Sequence, residues 1–272
     1  MMSLNRREFL KIAGLSALFG IGAKSVFQLL APGELEASLP PLQKDKKIQW
    51  AMAIDMKEVD DNLLKKAANA CHRYHNVPKI PGPKELKWIW TEDFEHSFPD
   101  QAEGAYVTEE VEKMHFPLLC NHCDNPPCCR VCPTRATFKR EDGIVMMDWH
   151  RCIGCRFCMA ACPYGSRSFN WGDPRRVMKD KELKKLNPDF PTNKEFPTRT
   201  KGVVEKCTFC YDRIDKGEYP VCVETANKIK KGSFIFGNIL DPESEIREVL
   251  KKRFSLRRKP ELGTGPNIFY LI

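Results

Sequence analysis

Cys152-Ile153-Gly154-Cys155-Arg156-Phe157-Cys158-Met159-Ala160-Ala161-Cys162-Pro163 sets four cysteines at gaps of two, two and three residues, with proline directly behind the last. Three thiolates so close together wrap one cubane [4Fe–4S] cluster within a single loop. The fourth stands on the following helical turn and, where two cubes lie side by side, ligates the other one. Proline after it fixes φ and carries no N–H. A companion run lies upstream: Cys120, Cys123, Cys128 and Cys132, with gaps of two, four and three, followed by Pro133. Exchanging the fourth cysteines completes two sites. Site A is Cys120, Cys123, Cys128 and Cys162; site B is Cys132, Cys152, Cys155 and Cys158.

The remaining cysteines extend the scheme. Cys207, Cys210 and Cys222 are three ligands without a fourth, and Ala226 stands where one would follow. Cys71 is a fourth ligand without its own three. Pairing them completes site C: Cys71, Cys207, Cys210 and Cys222. The absent residues amount to one whole cluster. Where three of them would lie, Lys57 to Ala70 reads as a helix with Val59, Leu63, Leu64 and Ala67 on one side. The implied cofactors are three [4Fe–4S] clusters. Cys129 is the thirteenth cysteine. It is an alternative to Cys128 as third ligand, although the gap of three to Cys132 favours Cys128; otherwise it is a small buried hydrophobe.

Zinc is the rival metal, because paired C-x2-C groups also build zinc ribbons. A zinc-stabilised binding module with a basic face is therefore the alternative of another class. Zinc does not require crossed runs ending in Cys-Pro, and a disulfide framework does not either. No C-x-x-C-H occurs, which excludes covalent c-type haem on this chain. The formal charge is +8, from 44 Lys+Arg against 36 Asp+Glu. Three four-thiolate clusters would offset about six of those charges, so no nucleic-acid partner is expected. All twelve assigned ligands fill their sites. No catalytic residue and no small-molecule substrate site is expected on this chain.

The N-terminus reads Asn5-Arg6-Arg7-Glu8-Phe9-Leu10-Lys11, followed by an apolar stretch from Ile12 to Ala23. Paired arginines before a short apolar region describe a twin-arginine signal peptide. The run is shorter than the ~20 residues a spanning helix needs. That route exports proteins already folded around cofactors. Residues 1–37 are the expected signal, with Ala37 at its end or with the segment kept as an uncleaved anchor. The expected location is the periplasm, at the outer face of the cytoplasmic membrane.

The fold class expected is α+β, a tandem bacterial-ferredoxin-like arrangement with a pseudo-twofold repeat and long loop insertions. Ile48 to Asp55 and Ile144 to Asp148 are each a short strand ending in Asp. The second belongs to a hairpin: Ala136 to Arg140, the turn Glu141-Asp142-Gly143, then Ile144 onwards. Another strand centres on Phe234-Ile235-Phe236. Residues 45–118 and 202–240 form the two halves of an outer unit around a central two-cluster unit, 119–172. Residues 173–201 read as an irregular, proline-rich surface excursion. In 241–272, Asp241-Pro242 opens a helix with Ile246, Val249, Leu250 and Phe254 on its apolar face. Arg257-Arg258-Lys259 reads as a solvated basic end.

These residues resemble the periplasmic ferredoxin-like subunits of membrane redox complexes, which include the beta subunits of polysulfide and thiosulfate reductases. Within that group the likeness is to the DsrO or HmeA type of iron–sulfur subunit, found in Hdr-like menaquinol oxidoreductase (DsrMKJOP) complexes. It rests on Cys71-His72-Arg73 with Asn76-Val77-Pro78, on Cys120-Asn121-His122-Cys123, and on His150-Arg151-Cys152-Ile153-Gly154-Cys155. Cys162-Pro163-Tyr164-Gly165, Thr200 to Cys207 and Leu262-Gly263-Thr264-Gly265-Pro266 add to it. The resemblance implies an electron-transfer subunit of a sulfur-metabolism-linked complex. Its implied partners are a polytopic quinone-reactive membrane subunit, a multihaem c-type cytochrome and the other subunits. Electrons would pass between menaquinol and the cytochrome. A beta subunit of a molybdopterin reductase is the alternative within the same chemistry. The chain departs from the usual four-cluster pattern by lacking one cluster.

Overall fold

The computed structural model describes residues 48–102 and 106–272. The twin-arginine segment and its cleavage point lie outside the described residues. No helix among the described residues is long and apolar enough to cross a membrane.

The strand Trp50–Asp55 organises the larger sheet. It runs antiparallel to Phe234–Asn238, with Ile54 opposite Phe234, and parallel to Ile268–Leu271, with Met52 opposite Ile268. Ser255–Leu256 closes the far edge of the sheet. A central strand is covered on both faces and reads as a continuous apolar run rather than an alternating one. Side chains still alternate between faces. Met52 and Ile54 enter the main core, whereas Ala51 and Ala53 face a smaller core with Ile246, Phe269 and Leu271. The first flank of the chain is thus joined to the last by backbone pairing.

Two helices pack against each other beside this sheet, Asp61–Tyr74 and Val221–Ile229. The first starts later than Lys57. Asp60 caps it, accepting from the Leu63 N–H at 2.7 Å, and Lys57 is held in a preceding turn by Asp55. Val59 therefore lies ahead of the helix, which buries Leu63, Leu64, Ala67 and Cys71. The central hairpin pairs Thr137–Lys139 with Val145–Met147, and Gly143 supplies the positive φ the turn needs. Short pairs join Ile89–Glu92 to Phe116–Leu119 and Ser168–Phe169 to Val204–Glu205.

Three further expectations need correction. The last helix spans Glu245–Lys252 rather than opening at Asp241-Pro242. Those two residues lie in a turn tied to Asn238, and Ser244 occupies the cap position. Phe254 falls beyond the helix and is exposed, while Ile246 is buried. Arg258 is not solvated: it is buried, donates to the carbonyls of Ser97 and Tyr164, and lies over the Tyr164 ring. Residues 173–201 contain a 3-10 turn at Pro174–Met178 and a helix at Lys181–Leu186. Their C-terminal part runs inside, where Phe196 and Arg199 are buried.

Candidate metal centre

The twelve cysteines fall into three neighbourhoods. Cys132, Cys152, Cys155 and Cys158 line one small cavity, together with Thr134 and Arg156. These are the four thiols grouped above as site B. Cys132 comes from the turn before the hairpin and the others from the loop and helical turn at 152–160. Burial opposes ionisation of Cys132, but N–H and hydroxyl donors from Thr137, Thr134 and Ala136 outweigh it and hold the thiol below its usual range. The Thr137 N–H is 3.5 Å from its sulfur.

Cys120, Cys123, Cys128 and Cys162 are also neighbours. Burial raises the Cys123 thiol first, and the charges of Cys120, Cys128 and Cys162 add to it. Cys162 is raised by burial and then by Cys120. The fourth cysteine of one run thus sits among the first three of the other.

Cys71, near the end of its helix, meets Cys222 at the start of the adjacent helix. Burial pushes Cys71 far above the ordinary thiol range, and Cys222, Cys210 and Cys207 reinforce the shift. Burial also raises Cys207 and Cys222 to about 12. Four buried thiols that resist ionisation together need a cationic centre to become ligands, and binding one must expel their protons. Ala226, at the position lacking a cysteine, is fully buried in the main core with Met56 and Leu64. Apolar side chains fill that place.

Among the described residues, no three histidine, cysteine or carboxylate groups converge closely enough to hold one metal ion. A zinc site would require that convergence. Each neighbourhood offers four thiols and no histidine or carboxylate among the residues grouped, the donor set of a four-iron cluster. The donor set therefore fits [4Fe–4S] clusters.

The three neighbourhoods form a row. Cys207 of site C feels Cys120 of site A, and Cys158 of site B feels Cys128 of site A. Buried cations stand at both junctions. At one, burial works against the Arg167 charge, but Cys128, Cys158 and Cys120 more than restore it. At the other, Lys206 donates to the carbonyls of Val145 and Cys207 and acts on both Cys128 and Cys207. Cys129 is half-buried and packs against the small apolar cluster that holds Cys128. Its contact, and then the charges of Arg167 and Lys206, draw Cys128 below the usual range against burial.

Further polar residues serve the same centre without any sequence signal of their own. His75 Nε2 lies 3.1 Å from Cys210 Sγ. Thr264 hydrogen-bonds Cys123 and lies 2.5 Å from the Tyr164 hydroxyl. Arg199 and Glu205 form a fully buried pair at 2.7 Å, with Trp88 donating to the carboxylate at 2.8 Å. Thr264 and Glu205 fall within stretches that carry the family resemblance; His75, Arg167 and Arg199 do not.

A family model described as a 4Fe-4S dicluster domain matches residues 111–179 and again 173–231. The chain is 40% identical to the Hdr-like menaquinol oxidoreductase iron-sulfur subunit 1 of Archaeoglobus fulgidus, over 98% of this chain and 97% of that one. The chain belongs to the family of ferredoxin-like iron–sulfur subunits of such oxidoreductases. Identity to a selenate reductase subunit of Mesobacillus selenatarsenatis is 37%, over 98% and 97% of the two chains. For the iron-sulfur cluster-binding subunit of Nitratidesulfovibrio vulgaris menaquinone reductase it is 34%, over 84% and 90%. The iron–sulfur subunit thus aligns with these relatives along most of its length, flanks included.

Proposed function

We propose that this iron–sulfur subunit relays electrons through three [4Fe–4S] clusters, held by sites A, B and C as grouped above. The observation that carries this reading is the row of thiol groups, with site A between C and B and a buried cation at each junction. Clusters in such a row would supply one-electron transfer from end to end. The chain's residues hold them, keep water from A and C and offset their negative charge. Cys162 and Cys132 are the crossed ligands that lock A and B together.

The relatives' names extend the proposal to partners. Two are subunits of a menaquinol oxidoreductase and a menaquinone reductase, which supports a quinone-reactive membrane subunit at one end. A multihaem c-type cytochrome at the other is the second partner proposed. The paired arginines support export by the twin-arginine route and work at the outer face of the cytoplasmic membrane. A second reading, the beta subunit of a molybdopterin reductase, is favoured by the 37% identity to the selenate reductase subunit. A neighbouring gene for a large pterin-binding protein would support it.

The test is anaerobic purification of the protein with its complex, followed by metal analysis and EPR. About twelve irons per chain are expected from three four-iron clusters. Eight or sixteen irons, or zinc in their place, overturns the assignment. Replacing Arg6 and Arg7 with lysine should leave the protein in the cytoplasm; unchanged periplasmic accumulation overturns the export route.

A further inference from the structure

The three neighbourhoods differ in their access to solvent. All four thiols of site C are buried, at 3–7% exposure. At site B only Cys158 is buried, while Cys132, Cys152 and Cys155 are half-buried. Site B is thus the end of the row that opens to the surface.

The surface around it is unusual in two ways. Large apolar side chains stand exposed there: Ile153 at 66%, Phe157 at 58% and Trp171 at 46%. Ile153 sits between two of the thiols and lines their cavity. The charges there are also mostly positive. No Asp or Glu occurs from Pro126 to Lys139 or from Trp149 to Gly172. Arg130, Arg135, Arg151 and Arg156 are all exposed there. Among the described residues only Arg151 of these four has an acidic partner, Asp148 at 3.2 Å. Arg156 lines the cavity, and its guanidinium lies 4.7 Å from the Trp171 ring. That contact ties the cationic rim to the apolar patch.

Balancing the cluster's own charge does not require these arginines. Arg167 and Lys206 lie buried beside the sites, where charges are weakly screened, whereas exposed guanidinium groups act through water and salt. Exposed apolar side chains rimmed by one sign of charge mark an interaction surface. Charge complementarity steers such encounters and fixes their register.

We propose that this face, centred on Ile153 and rimmed by Arg130, Arg135 and Arg156, docks a redox protein whose own exposed cofactor is ringed by acidic side chains. The proposal rests on the electron-relay reading above and names the partner chemistry at the site B end. An electron leaving the reduced protein through this face reduces a ferric haem of the partner to ferrous, with no bond made or broken and no proton required. An anionic membrane surface would also attract arginine and tryptophan. The protein partner is favoured because the patch is centred on the half-buried ligands of a cluster, and lipid offers no acceptor.

The experiment uses the full holo-protein, reduced anaerobically, and follows haem reduction by stopped flow. The probe is the soluble domain of cytochrome b5, an acidic haem protein; basic cytochrome c is the control. Reduction of cytochrome b5 should slow as salt rises, and electrostatic steering of this kind is worth at least about tenfold in rate. The triple variant Arg130→Gln, Arg135→Gln, Arg156→Gln should lose about tenfold at low salt. Removal of three exposed lysines elsewhere, Lys179, Lys181 and Lys184, should change the rate far less. With cytochrome c the arginine variant should be unchanged or faster. Iron content and EPR establish that each variant keeps its clusters. If the arginine variant loses iron, the salt dependence and lysine control on the unaltered arginine face carry the test. Equal losses in the two triple variants, or a cytochrome b5 rate insensitive to salt, overturn the proposal. So does arginine-dependent binding to phosphatidylglycerol vesicles without any effect on the cytochrome b5 rate. A preparation lacking the site B cluster fails the relay reading instead, and iron analysis tells the two failures apart.

Discussion

His75 Nε2 lies 3.1 Å from the sulfur of Cys210, across 135 residues of chain. Both are buried, and the imidazole is stacked on Trp88 at 4.4 Å while its carbonyl accepts from Arg199. A cysteine ligand to iron is a thiolate and cannot donate. With Cys210 as such a ligand, the hydrogen in this contact would belong to His75.

A donor on a ligand sulfur stabilises the more electron-rich, reduced cluster and raises its potential. His75→Phe keeps a ring against Trp88 and removes the donor. One of three clusters should fall in potential by on the order of 60 mV, a tenfold change in a one-electron equilibrium. The other two should stay where they are. EPR-monitored potentiometric titration reads this directly. Three unchanged potentials in a fully loaded variant would sink the idea.

Cys162 sits in one cysteine run and among the thiols of the other. Cys162→Ser should damage the cluster held by Cys120, Cys123 and Cys128. The cluster held by Cys152, Cys155 and Cys158 should keep all its ligands, because Cys132 completes that set. Iron-edge anomalous diffraction on crystals of the variant would show which cube is depleted. Depletion at Cys152–Cys158 refutes the crossed scheme.

Local signals in the sequence were legible and long-range ones were not. The hairpin around Glu141-Asp142-Gly143 announced itself by alternation and a turn glycine, and it pairs as expected. Cysteine spacing is likewise a local signal. Arg258 read as solvated because a run of three cations is normally a wet end. Its burial depends on carbonyls of Ser97 and Tyr164, far away in sequence. The same holds for the parallel pairing of Met52 with Ile268. It holds for Arg167 and Lys206 too, whose setting exists only once distant loops meet. The late start of the first helix was within reach, since Asp60 is a strong N-cap residue.

Gly265 marks a strap formed by the C-terminal residues over the loop carrying Cys120 and Cys123. Its carbonyl accepts from the Asp124 N–H at 2.8 Å, and the Thr264 carbonyl accepts from Asn125 at 2.9 Å. Gly265 has φ of +63°, and a Cβ there would come 2.9 Å from that of Asp124. Gly265→Ala should therefore cost about 1–3 kcal/mol through backbone strain and the forced shift. The strap delivers Thr264 to Cys123, so the cost should appear as faster oxygen bleaching of one cluster. Bleaching rates of the 400 nm band equal to those of the unmodified protein would argue against the strap's role.

Cys71 tests how far a cluster holds the flanks together. If site C binds a cube, Cys71→Ser should lower iron from about twelve to about eight per chain, or leave a three-iron form visible by EPR. The eight thiols of sites A and B all lie between Cys120 and Cys162 and should keep their clusters. A cube at site C would join the segment before the central two-cluster unit to the segment after it. The structure adds a second join, because Trp50–Asp55 pairs with both Phe234–Asn238 and Ile268–Leu271. Leu63, Ala67, Val223 and Ala226 are also buried in one core that both flanks share. Loss of the cluster should therefore loosen the flanks without releasing them. Limited proteolysis of the variant should cut faster than in the parent protein, and the fragments should stay associated on a sizing column until denaturant is added. A variant that keeps twelve irons would remove Cys71 from the ligand set. Fragments that separate without denaturant would show the cluster to be the dominant join.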